Sequence, residues 1–300
     1  MKEKLVSTKK KKYKDILFEV KDQVAWITIN RPRVMNAFRE QSLDEMIEAV
    51  KSTREDPSIA CIVFQGAGNQ AFSAGGDFYA MKRLTFTNAA MWNDRMLGLA
   101  MAIRGVPIPV IAKVNGWCMG GGHELALWCD LVIASEKSML GQTGAKVGAC
   151  PTVGATQYLP RIIGERLARE MIFLARRFTA AEAEKIGLIN KCVPEDKLDE
   201  ETLAWCETIK GHSSQTIRMT KKSLNMESDQ LYGSWQQGME LLAHVWGSEE
   251  SLEGMNAFLE GRKPDFQKFR LRNKAALEEY LDGFHRHLNA PPDMRNFPED

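Results

Sequence analysis

At 300 residues, 44% hydrophobic and 26% charged, the chain has the composition of a soluble globular protein with one large domain or two modest ones. Forty basic residues against thirty-nine acidic ones leave a net charge of +1, which argues against nucleic acid or an anionic membrane as the main partner. No run of about eighteen apolar residues is present, so no membrane-spanning helix is expected. The six cysteines form no C-x-x-C pair and no zinc spacing, so reduced thiols in a cytoplasmic protein, and no metal site, are expected.

The lysine-rich start, residues 1–13, has no apolar h-region and no small-residue cleavage site, and reads as a mobile solvated tail. Residues 16–20 and 24–30 are short β-rich segments split by Lys21-Asp22-Gln23, a hairpin pattern that Pro32 terminates. Ser42 and Glu45 form a capping-box pair ahead of Leu43, Met46, Ile47 and Val50 at helical spacing. Residues 59–65 suit a strand buried on both faces, and the glycine-rich stretch 66–77 then leads into a helical segment.

The same sequence of strand, glycine turn and helix recurs at residues 107–130. Gly120-Gly121-Gly122 lets the backbone approach a ligand without a Cβ in the way. The first N–H groups of the helix that follows have no partner within it and favour negative charge, and Glu124 lies within one turn of them. A carboxylate beside an array of backbone donors can act as a general base next to an oxyanion hole, although dipole compensation explains a first-turn glutamate equally well. Alternating strands and helices predict an α/β fold with parallel pairing.

Beyond a strand at 131–135, a glycine-rich loop region spans 139–154, a helix follows at 165–173, and Thr179 with Glu182 caps another. From about residue 201 the chain reads as successive helices, the last a charged one at about 268–287, followed by a Pro/Asn/Asp-rich tail. The divisions expected are a tail (1–13), an α/β part (14–200), a helical part (201–288) and a loose tail (289–300). The apolar helices of the helical part have too little chain around them to bury every face, which favours an oligomer.

Five motifs occur in one order: NRPRVMNAF (30–38), AFSAGGDF (71–78), PVIAKVNGWCMGGGHELALWCDLVIA (109–134), FTAAEAEKIGLINKCVP (178–194) and EGMNAFLEGRKPDF (253–266). Through them the chain resembles the enoyl-CoA hydratase/isomerase (crotonase) superfamily across residues 14–270. The resemblance implies a spiral of ββα turns that binds a coenzyme A thioester as substrate, with no further cofactor. It also implies a helical C-terminal region that makes homotrimers, often paired into hexamers. By motif position, the amides of Gly76 and Gly121 would form the oxyanion hole beside the carboxylate of Glu124. Ser73, Ala74, Asp77 and Phe78 would lie along the adenine and pantetheine, with Met35, Asn36 and Ala37 across the same groove and Lys263 near the nucleotide phosphates.

One departure bears on the chemistry. A typical hydratase of the family carries a second glutamate in a G-Q-P-E segment, and the matching position here is Gly144, within GQTGAKVG. Glu124 combined with Gly144, Pro151 and GATQYLP is similar to the ring-processing branch, nearest to the oxocyclohexene-carbonyl-CoA hydrolases. Dihydroxynaphthoyl-CoA synthases, which have aspartate in place of Pro151 and lack the Glu124-type residue, are poorer matches. The glycine predicts an enlarged pocket for a cyclic or branched acyl group, bordered by His123, Thr143, Gly144 and Pro151. His123, Tyr79, Thr143, Lys146 and Tyr158 are the candidates for a second proton donor. The expected activity is addition of water to an α,β-unsaturated CoA thioester, a hydro-lyase reaction. The alternatives are ring-opening hydrolysis of a cyclic oxo-enoyl-CoA and a catalytically silent acyl-CoA- or RNA-binding scaffold, the near-neutral charge arguing against RNA.

Overall fold

The computed structural model describes residues 13–288, so the expected tails fall outside the described residues except for Tyr13, whose ring packs edge-on against Phe18 (6.3 Å between centroids). Strands β1 (Ile16–Lys21) and β2 (Val24–Ile29) pair antiparallel, and the two residues between them, Asp22 and Gln23, take φ of 50° and 64°, which gives the tight hairpin its matching twist. Helix α1 (Glu40–Ser52) begins ahead of the cap expected at Ser42. Ser42 lies inside the first turn, where its hydroxyl accepts the Arg39 N–H and donates to Asp15 (2.6 Å), while Glu45 accepts the N–H groups of Lys14 and Asp15. Ser42 thus caps from the third helical position, with Arg39 as the N-cap, while the Glu45 carboxylate is taken up by the backbone ahead of β1.

The chain then makes three turns of a spiral. Each turn places a longer strand in one sheet and a three-residue strand in a second: β3 (Cys61–Gly66) with β4 (Ala71–Ser73), β5 (Val110–Val114) with β6 (Trp117–Met119), and β7 (Leu131–Ser135) with β8 (Met139–Gly141). Helices α2 (Phe78–Met81) and α3 (Ala89–Gly105) follow the first pair, α4 (Gly121–Trp128) the second and α5 (Ala155–Phe173) the third. The larger sheet runs β1-β2-β3-β5-β7-β10, with β10 (Lys191–Val193) at its edge and parallel pairing from β2 onward. The smaller runs β4-β6-β8-β9, with β9 (Arg177–Thr179) antiparallel to β8. Helix α6 (Ala180–Lys185) opens with the expected box: Thr179 Oγ1 accepts the Glu182 N–H and the Glu182 carboxylate accepts the Thr179 N–H (2.8 Å).

Alternation along β3 explains why its first four residues, Cys61–Phe64, are all apolar. Ile62 and Phe64 face the main core inside the spiral, whereas Cys61 and Val63 join a second cluster with Ile111, Ile133 and Cys206 on the other face. That second face is covered by α7 (Leu198–Lys210), the first of the C-terminal helices. The others are α8 (Ser214–Asp229), α9 (Tyr232–Val245), α10 (Glu249–Leu259) and α11 (Gln267–Leu288). Trp235, Met239 and Leu242 of α9 belong to the main core, so the helical part is packed into the spiral. Helix α5 is longer than the helix expected at 165–173, extending back through GATQYLP and breaking at Gly164 (φ 78°, ψ 155°). All six cysteines are free, and Cys150 is exposed.

Candidate active site

Two glycine turns meet backbone to backbone. After β4 the chain reaches Gly75 at φ 95°, where an added Cβ would stand 2.8 Å from the Gly121 nitrogen and 2.9 Å from the Met119 oxygen, so no larger residue fits. Gly76 is pinned by a bridge to Phe38: the Phe38 N–H donates to Gly75 O (2.9 Å) and the Asp77 N–H to Phe38 O (2.8 Å). After β6, Gly120 takes φ 52° and ψ −123°, a conformation closed to side-chain-bearing residues, and its N–H donates to Gly141 O. Helix α4 starts from there. Among the described residues neither the Gly76 nor the Gly121 N–H donates to a protein acceptor, and both glycines line one cavity of about 70 Å³.

Glu124 lines the same cavity and is 4% exposed. Its Oε1 accepts the Val153 N–H (2.9 Å) and the Ala155 N–H (3.4 Å), so the start of α5 clamps the carboxyl group, and Oε2 accepts none of the hydrogen bonds among the described residues. Burial pushes the Glu124 pKa up to about 8, and the two amide hydrogen bonds, which favour the ionised form, do not overcome it. Phe38, Trp92, Met96 and Leu242 supply apolar wall. A carboxyl group with one uncommitted oxygen, sharing a mostly apolar cavity with two uncommitted amides, is equipped to move a proton while negative charge grows on a nearby carbonyl oxygen.

Of the four residues expected at the pocket, Gly144 and Pro151 line the cavity; His123 and Thr143 are not on its wall. Successive residues of α4 point about 100° apart, so the turn that aims Glu124 at the cavity aims His123 elsewhere. His123 is buried, its Nδ1 faces the Gln142 amide nitrogen at 3.0 Å, and burial holds its pKa down to about 4, which keeps the ring neutral at pH 7. Of the other proposed proton donors, Tyr79 and Lys146 are exposed, and Tyr158 lines a separate cavity with Arg104 and Asp229.

The enlargement expected at Gly144 is absent. A Cβ there would lie 2.5 Å from the Ala149 carbonyl oxygen, so residues 149–151 occupy the room that a side chain would need. The site's 70 Å³ is about half of the roughly 150 Å³ that holds benzene in an engineered apolar cavity.

Of the residues expected along coenzyme A, those at 35–37 and 73–78 lie on neighbouring stretches of chain, joined by the Ala74 N–H to Met35 O and the Phe38 N–H to Gly75 O. Asn36 is buried and its side chain is committed to backbone, accepting from the Arg31 N–H and donating to Ala67 O and Ala71 O. Ser73 Oγ donates to Asn36 O and accepts the Gly75 N–H, and Asp77 accepts from Arg31 (2.9 Å) and caps α2 through the Tyr79 N–H. These three side chains shape the loops. Met35 is half-buried in a left-handed conformation (φ 54°), its carbonyl accepts the N–H of the exposed Ala74, and Ala37 is buried. Phe78 packs edge-on against Phe258 of α10 (centroids 4.9 Å apart), and Lys263 is exposed beyond that helix.

Gln142, Trp246 and the amides of Val153 and Ala155 are site groups that motif spacing does not flag. Gln142 stands in the glycine loop but carries no charge to draw notice, and Trp246 comes from the helical part, more than a hundred residues away in the chain.

The enoyl-CoA hydratase/isomerase family model matches residues 19–269. Among solved structures, an enoyl-CoA hydratase/isomerase from Xanthobacter autotrophicus Py2 is 30% identical, with 83% of this chain and 94% of that one covered at a TM-score of 0.77. An enoyl-CoA hydratase from Mycobacterium avium subsp. paratuberculosis K-10 is 26% identical over 85% and 99% of the two chains at a TM-score of 0.78. One from Bacillus anthracis is 31% identical over 84% and 98% at a TM-score of 0.69. With the two glycine turns, the buried glutamate and the ββα spiral already in place, the chain belongs to the enoyl-CoA hydratase/isomerase family.

Proposed function

We propose that this protein is a hydro-lyase that adds water across the double bond of an α,β-unsaturated coenzyme A thioester with a short or branched acyl group. The observation that carries the reading is the convergence of two unpaired backbone amides, Gly76 and Gly121, and the Glu124 carboxyl group on one small cavity. The thioester oxygen accepts both N–H groups, and a water held by ionised Glu124 attacks the β-carbon as Glu124 takes its proton. Charge moves to the thioester oxygen as an enolate, where the two amides stabilise it; losing one such donor costs on the order of 3 kcal/mol. The enolate then takes the proton back from Glu124 at the α-carbon, so that one water supplies both added groups and a single carboxyl group suffices.

The nucleotide end lies along the rim formed by residues 35–37 and 73–78. A groove of about 360 Å³ lined by Arg33, Met35, Asn36 and residues 67–71 supports that placement. The cavity volume favours a short chain over a ring, so ring-opening hydrolysis requires residues 144–151 to withdraw. The uncommitted amides and the clamped carboxyl group favour retained chemistry over a silent scaffold.

Glu124→Gln tests the proposal, because glutamine can keep the hydrogen bonds from Val153 and Ala155 while losing the base. Turnover of crotonyl-CoA, followed by loss of the conjugated thioester's ultraviolet absorbance, should fall roughly 10²–10⁴-fold while acyl-CoA affinity stays near that of the parent. Undiminished turnover removes Glu124 from the mechanism. Mass analysis of products from a cyclic oxo-enoyl-CoA separates one water added from two and so decides against or for ring opening.

A further inference from the structure

Gly76, unlike Gly75 and Gly120, does not take a positive φ, so left-handed torsion is not what excludes a side chain there. Occupancy excludes it. An added Cβ would collide with Met81 Sδ and stand 3.2 Å from Trp92 Cζ2 and 3.3 Å from Met81 Cγ. The Met81 thioether thus fills the space of the missing methyl group, on the very residue whose amide is offered to the thioester oxygen. Met81, Trp92 and Gly76 all line the site cavity, and the two side chains are 7% and 3% exposed. Met81 is also held more lightly than its neighbours. Trp92 stacks on Phe38 (ring centroids 6.5 Å apart) and Met96 sits partway along the 17-residue α3, whereas Met81 ends the four-residue α2 and leads into the turn and loop residues 82–88. Methionine is unbranched, with three rotatable bonds, and adapts to what packs on it.

We infer that Met81 sets the length limit on the acyl chain: its sulfur stops the chain shortly past the carbonyl, and a smaller residue there admits a chain several carbons longer. On the acyl-CoA reading above, the nucleotide end lies along the groove at residues 33–36 and 67–71, none of which lines the cavity. The acyl chain is therefore the part that enters and meets the wall made by Met81 and Trp92. The inference rests on that reading and deepens it, from a preference for short chains to the side chain that imposes it.

Calorimetric titration with two saturated esters, butyryl-CoA and octanoyl-CoA, tests it without any turnover. Every buried methylene adds to affinity, so a parent protein that stops the chain should bind octanoyl-CoA no more than threefold more tightly than butyryl-CoA. Met81→Ala, which removes Cγ, Sδ and Cε, should raise the octanoyl-to-butyryl affinity ratio at least tenfold over the parent's. Met81→Leu, which refills the space at similar volume, should keep the ratio within threefold of the parent's. A parent that already favours octanoyl-CoA by more than threefold, a smaller rise in Met81→Ala, or a rise that Met81→Leu shares overturns the inference and leaves the hydratase reading standing. Failure of both esters to bind removes the acyl-CoA reading and this inference with it. Should Met81→Ala not fold, Met81→Val shortens the side chain more gently and is held to the same tenfold threshold.

Discussion

Glu124 joins function to stability through its proton. In the folded chain its pKa is about 8 because burial penalises the charge, against an ordinary value of 4.5, so between those limits the folded state binds more protons than the unfolded one. Stability contributed by this group is therefore fully present below pH 4.5 and is lost as pH rises through about 8. His123 acts in the opposite sense: held at about 4 against an ordinary 6.5, it makes stability rise with pH across that window. The two slopes oppose each other between 4.5 and 6.5, leaving the fall due to Glu124 in view between 6.5 and 8. Denaturant unfolding of the parent and of Glu124→Gln over that upper window should show a difference that grows by up to about 1.4 kcal/mol per pH unit, and a constant difference rules out the shifted pKa. The base must be ionised to act, so kcat/KM for an enoyl-CoA should rise with pH to an inflection near 8 in the parent protein. Glu124 was legible in the sequence because a carboxylate two residues past a glycine turn is a local pattern. The amides of Val153 and Ala155 that clamp it were not, since they come from a separate loop and carry no side-chain signature.

Short elements were the hardest to read. The longer strands β1, β2, β3, β5 and β7 announce themselves by apolar and β-branched content, whereas β4, β6 and β8 are three residues each and look like parts of the glycine turns that adjoin them. Those three strands form the smaller sheet with β9 and deliver Gly75, Gly120 and Gly144 to the site, so the element that positions the chemistry is the one with the weakest signal. The first half of α5 was hidden by Pro160, which local rules treat as a breaker and which the structure accommodates within the helix. Gly144 shows the limit of reading a substitution without its neighbours: a missing side chain suggests a void, but the 149–151 segment has closed in. Restoring a carboxylate by Gly144→Glu should therefore fail to add a second acid. The side chain meets the Ala149 carbonyl, and overpacking of this kind costs about 1–3 kcal/mol. Chemical denaturation should register that loss while hydration stays at or below the parent rate; a faster, equally stable variant would show that the segment yields.

On the scale of the whole molecule, the division expected near residue 200 is crossed by the site, since Leu242 and Trp246 of the helical part line the cavity with residues of the spiral. The helical part in turn carries apolar surface that no other described residue covers. Met219, Leu224 and Met226 on α8 are 61%, 75% and 65% exposed, and Leu271, Leu277, Tyr280 and Phe284 on α11 are exposed as well. Helix α11 is 22 residues long, yet among its described side chains Phe269 alone is buried. A helix gains most of its stability from packing an apolar face, and α11 has such a face with no cover among the described residues. A homo-oligomer built through α8 and α11 would supply the cover, and closed symmetry would favour the trimer or hexamer that the family resemblance implies. Light scattering should give a mass three or six times 33.8 kDa, and removing residues 267–300 should lower it. A mass of one chain at micromolar concentration would show that these faces stay in water, and the oligomer would have to be abandoned.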